Sequence, residues 1–452
     1  MSDSASPTSP VPRHLTPEPA FAIMRAHAAG LDIGAEEIWA ASPPGERPDS
    51  VHAFGSFTAD LHALVAWLKE RGVTTVAMES TGVYWIPVYD TLERAGFEVF
   101  LVNAHHVKSV TGRKSDLLDC QWIQKLHSCG LLKGSFRPDE KIVSVRSLFR
   151  HRADLVREAA SSVQRMQKAF TQMNVQLHHA VADITGKTGM AIIEAILKGE
   201  RRPMHLAKLR DPRCKNDEAM IAKALTGTWR TEHLFTIEQH LATWKHYHAQ
   251  IALTDAAIAA ALVDIPNNPD AGDGPTGPAK RDQSHMAFDA RTVCHQKFGV
   301  DLTAIEGIGA TTAMTILTEV GADFSRFKNS GSFCGWLGLA PNKRITGGKV
   351  ISSKTTKTRN RVNQALRQAA STLRKSKSAL GSLARGLERR LGSAKGVVAM
   401  AHRLARYIYA MVTNGANYIT KTMEDLDQRR KNHQKALLLR LAAELNYTLT
   451  PP

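Results

Sequence analysis

Two carboxylates stand inside segments that otherwise read as buried strands, Asp32 in Gly30-Leu31-Asp32-Ile33-Gly34 and Glu79 in Val76-Ala77-Met78-Glu79-Ser80-Thr81-Gly82. An acid in an apolar strand narrows the possible folds, because burying a charge is costly unless a partner answers it. The surrounding pattern predicts where the strands lie. Apolar and small residues alternate from residue 28 to 42 around a turn at Ala35-Glu36, which predicts a hairpin, and residues 51–54 add a third strand. Residues 57–71 carry Leu61, Leu64, Val65 and Leu68 at helical spacing until Gly72 stops them. A strand at 73–78, a helix at 85–95 closed by Gly96, and a strand at 97–102 complete an α/β layer on a mixed sheet.

A third acidic signal follows in Lys114-Ser115-Asp116-Leu117-Leu118-Asp119-Cys120-Gln121-Trp122, where Asp116 and Asp119 sit three residues apart in a helical segment and so share a face. Like charges side by side raise each other's pKa and cost stability unless a cation lies between them. Taken alone, the pair favours a solvated helix start that uses the helix dipole. The two upstream acids tip the balance toward a metal site. The element order matches the ribonuclease-H-like one, in which a first hairpin carries one acid and the next parallel strand ends in another. The carboxyl ends of such strands are the expected place for catalytic groups.

The formal net charge of +17 predicts attraction to polyanions. No run approaches the ~18 consecutive apolar residues of a membrane-spanning helix, and even residues 396–412 are interrupted by His402, Arg403 and Arg406. Cys120, Cys129, Cys214, Cys294 and Cys334 show no CxxC spacing, which argues against a disulfide framework or a zinc site and fits a reducing cytoplasm. Residues 1–19 are rich in Ser and Pro without an apolar signal core and read as a disordered lead-in.

After Arg137-Pro138-Asp139-Glu140, the residues Phe149, Arg152, Val156, Ala159, Val163, Met166, Phe170, Met173 and Leu177 recur at steps of three and four, a heptad seam with one polar intrusion. It predicts either a coiled-coil arm or dimer contact, or a helix packed on its own domain. Residues 180–262 remain mostly helical, with turn signals at Asp211-Pro212-Arg213 and near Gly227, and 264–283 read as an irregular connection. Ile305-Glu306-Gly307-Ile308-Gly309-Ala310-Thr311-Thr312 has the pattern of a helix-hairpin-helix turn, whose glycines Gly307 and Gly309 let backbone N–H groups approach a phosphate. A plain helix-helix connection uses glycine too. Beyond it Arg344, Lys349, Lys354, Lys357, Arg359 and Arg361 belong to a basic block that runs to Arg385 without Asp or Glu, a one-sidedness that favours nucleic acid over a merely solvated face.

With these residues in hand, the chain resembles the DEDD-type transposases of the IS one-ten and eleven-eleven insertion-sequence family over residues 30–136 and 302–414. Leu31-Asp32-Ile33-Gly34, Glu79-Ser80-Thr81-Gly82 and Lys114-Ser115-Asp116-Leu117-Leu118-Asp119 look like the family's acidic motifs. Gly335-Trp336-Leu337-Gly338-Leu339-Ala340-Pro341 and Gly347-Gly348-Lys349 resemble its transposase signature. The resemblance implies a ribonuclease-H/RuvC-like α/β N-terminal domain holding Mg²⁺ or Mn²⁺ on Asp32, Glu79, Asp116 and Asp119. It also implies mostly α-helical coiled-coil and C-terminal transposase domains, the last supplying a hydroxyl nucleophile. Donor and target DNA, a structured guide RNA and a homo-oligomer, dimer or tetramer, are the implied partners. Similar proteins place a serine before the paired glycines, whereas this chain has Ile345-Thr346-Gly347-Gly348, so Thr346 takes the nucleophile's position and Ser352 and Ser353 are fallbacks.

The domain limits expected are a lead-in at 1–26, a RuvC-like DEDD domain at 27–140, a helical and coiled-coil region at 141–262, and an irregular linker or insertion at 263–299. A C-terminal transposase domain at 300–425 and a helical tail at 426–452 complete the chain. Two rivals stand beside a transposase that cuts and rejoins strands. One is a RuvC-like junction nuclease with no covalent intermediate; the other is a nucleic-acid-binding protein whose acids are structural.

Overall fold

The computed structural model describes residues 22–44, 49–79, 82–102, 116–272, 274–275, 286–356, 358, 360–445 and 447, with the side chains of 116–118, 344 and 417–423 outside that set. The chain divides into two compact units, Met1–Arg137 and Pro138–Pro452.

In the first unit, β1 (Ala28–Ile33), β2 (Glu37–Ala41), β3 (Val51–Gly55), β4 (Thr75–Glu79) and β5 (Glu98–Val102) form one sheet in the order β3-β2-β1-β4-β5. The β1–β2 and β2–β3 pairs are antiparallel, while β4 runs parallel to both β1 and β5. Helices α1 (Thr58–Glu70) and α2 (Trp85–Arg94) join these strands. Their Leu61, Leu64, Leu68, Val88 and Leu92 pack with Leu31, Ile33, Val76 and Met78. The opposite face meets α3 (Asp116–Ser128) through a smaller core of Ala77, Val102 and Ile123. Strand alternation sorts the residues: odd positions of β4 turn toward α3 and even ones toward α1 and α2. The predicted hairpin, third strand, two helices and two parallel strands all form.

The second unit begins with α4 (Glu140–Gln172), which Asp139 caps by accepting a hydrogen bond from the Lys141 N–H. Helix α4 packs against α9 (Thr231–Val263) of the same chain. The pair is antiparallel. Lys141 Nζ donates to the Asp264 carbonyl at 3.1 Å, Arg152 pairs with Asp255, and Phe170 shares a core with Ile237 and Leu241. At 33 residues each, the two helices make a stalk about 50 Å long.

The heptad seam therefore finds a partner inside the chain, with two departures. Val156 is exposed, and the helix stops at Gln172, so Met173 and Leu177 belong to the structure beyond it. The polar intrusion at Arg152 is explained by Asp255: both are buried, with Nε donating to Oδ1 and a guanidinium nitrogen to Oδ2 at 3.2 Å, and Oδ2 also accepts from Ala287 N at 3.1 Å. At the far end, α5 (Leu177–Ala180), α6 (Lys187–Leu197), α7 (Pro203–Ala207) and α8 (Glu218–Ala224) form a cap around Ile192, Ile193, Ile196, Leu206 and Ile221.

The stretch predicted to be irregular contains α10 (Ala290–Phe298), which Asp289 caps by accepting from Arg291 N and Thr292 N and which ends at Gly299. A 3-10 turn (Leu302–Ala304) leads to α11 (Ala310–Val320) and α12 (Ser330–Trp336). Strands β6 (Arg344–Thr346) and β7 (Lys349–Ser352) form a separate hairpin, and α13 (Arg361–Leu373), α14 (Ala379–Leu391), α15 (Ser393–Asn414) and α16 (Ala416–Glu444) complete the chain. Trp336 stacks on Phe333, and Asn363 Nδ2 donates to the Leu337 carbonyl at 2.7 Å, so the signature segment is tied to α13.

Candidate functional site

The parallel register sets Leu31 against Met78, and its next step sets Asp32 against Glu79. Both acids lie at the carboxyl ends of adjacent strands, on the face that α3 covers, and both are half-buried. Helix α3 lies unusually close to that face, because Gly30 has no Cβ. A Cβ there would sit 2.2 Å from Gln124 N and 2.5 Å from the Cys120 carbonyl oxygen. Gln124 Nε2 also donates to the Ala28 carbonyl at 3.1 Å. With Gln124 at the start of β1 and Cys120 beside Gly30, the helix runs antiparallel to the strand, so its first turn lies at the strand's carboxyl end.

That direction carries Asp119 toward Asp32. The Cys120 thiol pKa is pushed up to about 12, chiefly by burial, with the negative charges of Asp32 and Asp119 adding to the shift. The unpaired N–H groups of the helix N-terminus favour negative charge at the same place. Asp116 opens the helix, but its side chain lies outside the described residues, as do Lys114, Ser115, Ser80 and Thr81. Among the described residues no three His, Cys, Asp or Glu side chains form a ready metal cluster. The donor set is nonetheless all carboxylate, which suits a hard cation such as Mg²⁺.

The other end of α3 is pinned at the start of β4. Thr75 Oγ1 donates to the Glu98 carbonyl at 3.1 Å and lies 2.8 Å from His127 Nε2, so the imidazole Nε2–H donates to the hydroxyl. His127 is fully buried, its Nδ1 has no partner among the described residues, and burial together with the Arg25 charge lowers its pKa to about 4. The neutral imidazole fixes the helix axially while Gly30 fixes its height above the sheet.

In the second unit, Thr346 is the last residue of β6 and pairs with Lys349 across Gly347-Gly348, whose φ angles are +54° and +75°. Two consecutive positive φ values define a type I′ turn, which paired glycines adopt without strain. Thr346 is exposed at the tip, and Ile345, Val350 and Ile351 are exposed along the arm. Ser352 pairs with Arg344 lower on the arm, and its hydroxyl accepts from Lys354 N at 3.4 Å, a structural use that leaves Thr346 the better-presented hydroxyl. Lys349 and Lys354 are exposed on this arm; the side chain of Arg344, and Lys357 and Arg359 entirely, lie outside the described residues.

Gly307 adopts φ +87° and packs under Leu373, while Gly309 is the N-cap of α11 with open space where a Cβ would be. Gly307 and Arg361 line one groove of about 1050 Å³ between α4, α11 and α13. Thr311, Thr315, Gln364 and Gln368 line the same groove and were not singled out in the sequence. Their signal was the i, i+4 spacing of each pair, which places both members on one helix face.

A comparison with curated proteins finds no match. Two family models do match. The IS110-type DEDD model, described as Transposase, covers residues 29–175, which include the sheet and its acids. The model described as Transposase IS116/IS110/IS902 family covers residues 301–383, which include the hairpin and the groove helices. Together they account for about half of the chain and for both sets of candidate residues, and the chain belongs to the IS110 family of DEDD transposases.

Proposed function

We propose that this transposase cuts and rejoins DNA by metal-dependent phosphoryl transfer, with Asp32, Glu79, Asp116 and Asp119 holding Mg²⁺ or Mn²⁺ and Thr346 acting as the nucleophile. The observation that carries the reading is the parallel register that sets Asp32 beside Glu79 at the end of the sheet to which α3 brings Asp119. The strand order β3-β2-β1-β4-β5, antiparallel then parallel, supports a RuvC-like identity for this layer. A bound divalent cation polarises a phosphodiester and stabilises its leaving oxygen.

The chain's own residues do the rest. Carboxylates on adjacent strand ends supply oxygen ligands on a rigid frame, and the first turn of α3 favours the charge they hold. Thr346 loses its proton to a general base and bonds to phosphorus as the strand's sugar oxygen leaves. Lys349 beside it stabilises charge that develops on the phosphate. Gly307, Gly309, Arg344, Lys354, Lys357, Arg359 and Arg361 bind the nucleic-acid backbone. A structured guide RNA directs the choice of donor and target, the protein works as a homo-oligomer, dimer or tetramer, and the reaction belongs in the cytoplasm. The net charge of +17 supports the polyanion partners.

The test scores strand cleavage and covalent protein-DNA adduct on denaturing gels, with and without Mg²⁺ and the element's own RNA. Asp119→Asn should abolish cleavage, Thr346→Ala should abolish adduct, and Thr346→Ser should retain it. Wild-type cleavage by Asp119→Asn would remove the acid assignment. Cleavage without any adduct would leave the junction-nuclease reading, and adduct formed by Thr346→Ala but lost on changing Ser352 and Ser353 together would move the nucleophile there.

A further inference from the structure

The last three helices carry a cationic groove beyond the residues that either family model covers, apart from its rim. Two hollows of about 590 and 410 Å³ share Arg403, Leu426 and Arg429, and so run into one another between α14, α15 and α16. Lys328, Arg390, Arg403, Arg406 and Arg429 line them, against the single carboxylate of Asp425. These five cations are exposed, and none forms an ion pair among the described residues. Arg430 deeper in the groove is different: it is held by Asp427 at 3.4 Å and by the Lys377 carbonyl.

The sequence builds this surface on purpose-made faces. On α15, Met400, Leu404, Ile408 and Met411 are buried, which turns Arg403, Arg406, Ala410 and Thr413 to the groove. Arg403 and Arg406 are three residues apart, and like charges so placed on a helix repel rather than stabilise it. Arg429 faces them from α16, where His433 one turn on lines the same hollow. His402 registers the uncompensated field: its pKa is lowered by burial and then by Arg406 and Arg403. Repulsion of this kind is relieved by an anion laid along the groove. Four of the five free cations are arginines, whose planar forks match phosphate oxygens bidentately. From Arg403 to Thr413 the groove follows about 15 Å of helix, the axial rise of about four nucleotides.

We infer that the groove between α14, α15 and α16 binds the phosphodiester backbone of a nucleic acid, as a contact surface separate from the Thr346 hairpin and the Gly307–Arg361 groove. The inference takes from the proposed function only that a nucleic acid is present, and depends on neither the acids nor Thr346.

The test is fluorescence anisotropy of the full chain with 30-nucleotide single-stranded DNA, the matching duplex, and RNA of the same sequence, between 50 and 300 mM salt. The triple variant Arg403→Gln, Arg406→Gln, Arg429→Gln should bind at least one probe about tenfold more weakly at 150 mM salt, with its log K against log salt slope shallower by about 2 to 3. The variant Arg403→Lys, Arg406→Lys, Arg429→Lys should keep the wild-type slope. Lys198→Gln, Lys208→Gln, Lys223→Gln removes the same charge from the exposed surface of α6 to α8 and should stay within about twofold of wild type. The probe that loses affinity identifies the occupant as DNA or RNA, single or double strand. Equal behaviour of the Gln triple and the cap control on all three probes overturns the inference. The assay scores binding alone, so loss of cleavage by Asp119→Asn bears on the acid site and not on this groove.

Discussion

Replacing Gly30 by alanine tests the candidate site at its most sensitive contact. The added Cβ would lie 2.2 Å from Gln124 N and 2.5 Å from the Cys120 carbonyl oxygen, both backbone atoms of α3 that no rotamer change can move aside. Restoring an ordinary contact of about 3.4 Å requires the helix to lift from the sheet by about 1.2 Å or to slide along it. Overpacking of this kind costs about 1–3 kcal/mol. The functional cost is of the same order, since a displacement of about 1 Å at a reacting centre lowers rate by about 100-fold, about 2.7 kcal/mol. The assay pairs thermal unfolding, with and without 10 mM Mg²⁺, with single-turnover strand cleavage. Gly30→Ala should remain folded, lose most of any Mg²⁺-dependent rise in Tm, and cleave about 100-fold more slowly. Wild-type cleavage together with wild-type Tm would show that the close approach of α3 does not position Asp119.

Three further outcomes follow from packing and charge. Because the folded pKa of His127 is lowered to about 4, the unfolded chain takes up that proton first as pH falls. Its contribution is complete above about pH 6.5 and is lost between there and pH 4, about 3 kcal/mol in all, and His127→Gln should flatten that acid limb in urea unfolding. Asp255→Ala removes the carboxylate that the buried Arg152 and the Ala287 N–H both use, which should cost about 3–5 kcal/mol, whereas Arg152→Met with Asp255→Leu should recover most of it; equal loss in both would refute the pairing. Gly386 lies inside α14 with open space around its missing Cβ, so Gly386→Ala should raise stability by about 0.5–1 kcal/mol in the same assay.

The sheet of the first unit was legible because its strands announce themselves locally: alternation in residues 28–42 and the stops at Gly72 and Gly96 set every boundary within a residue or two. Asp32 and Glu79 were legible for the opposite reason, as violations of the apolar pattern. What the sequence withheld was long-range. Nothing local says that the seam beginning at Phe149 is answered by a helix starting near residue 231, or that the odd Arg152 in that seam waits for Asp255. Gly30 read as an ordinary small residue in a strand, and its meaning appears only when α3 lies across it. Helix α10 was missed because its cap, Asp289, and its end, Gly299, sit in a stretch crowded with other turn residues, where each signal loses its contrast.

The stalk of α4 and α9 gives the second unit a lever. Its far end carries a cap with a hydrophobic core of its own, while between Ala159 and Phe149 on α4 only Arg152 is buried, so two helices alone join the ends. Long helices curve gently as a rule, and over the roughly 30 Å of α4 from Arg152 to Gln172 a bend of about 5° carries the cap through about 2.6 Å. Small angular play near Arg152 and Asp255, where the buried ion pair ties α4 to α9, is thus converted into a few ångströms of travel at the tip.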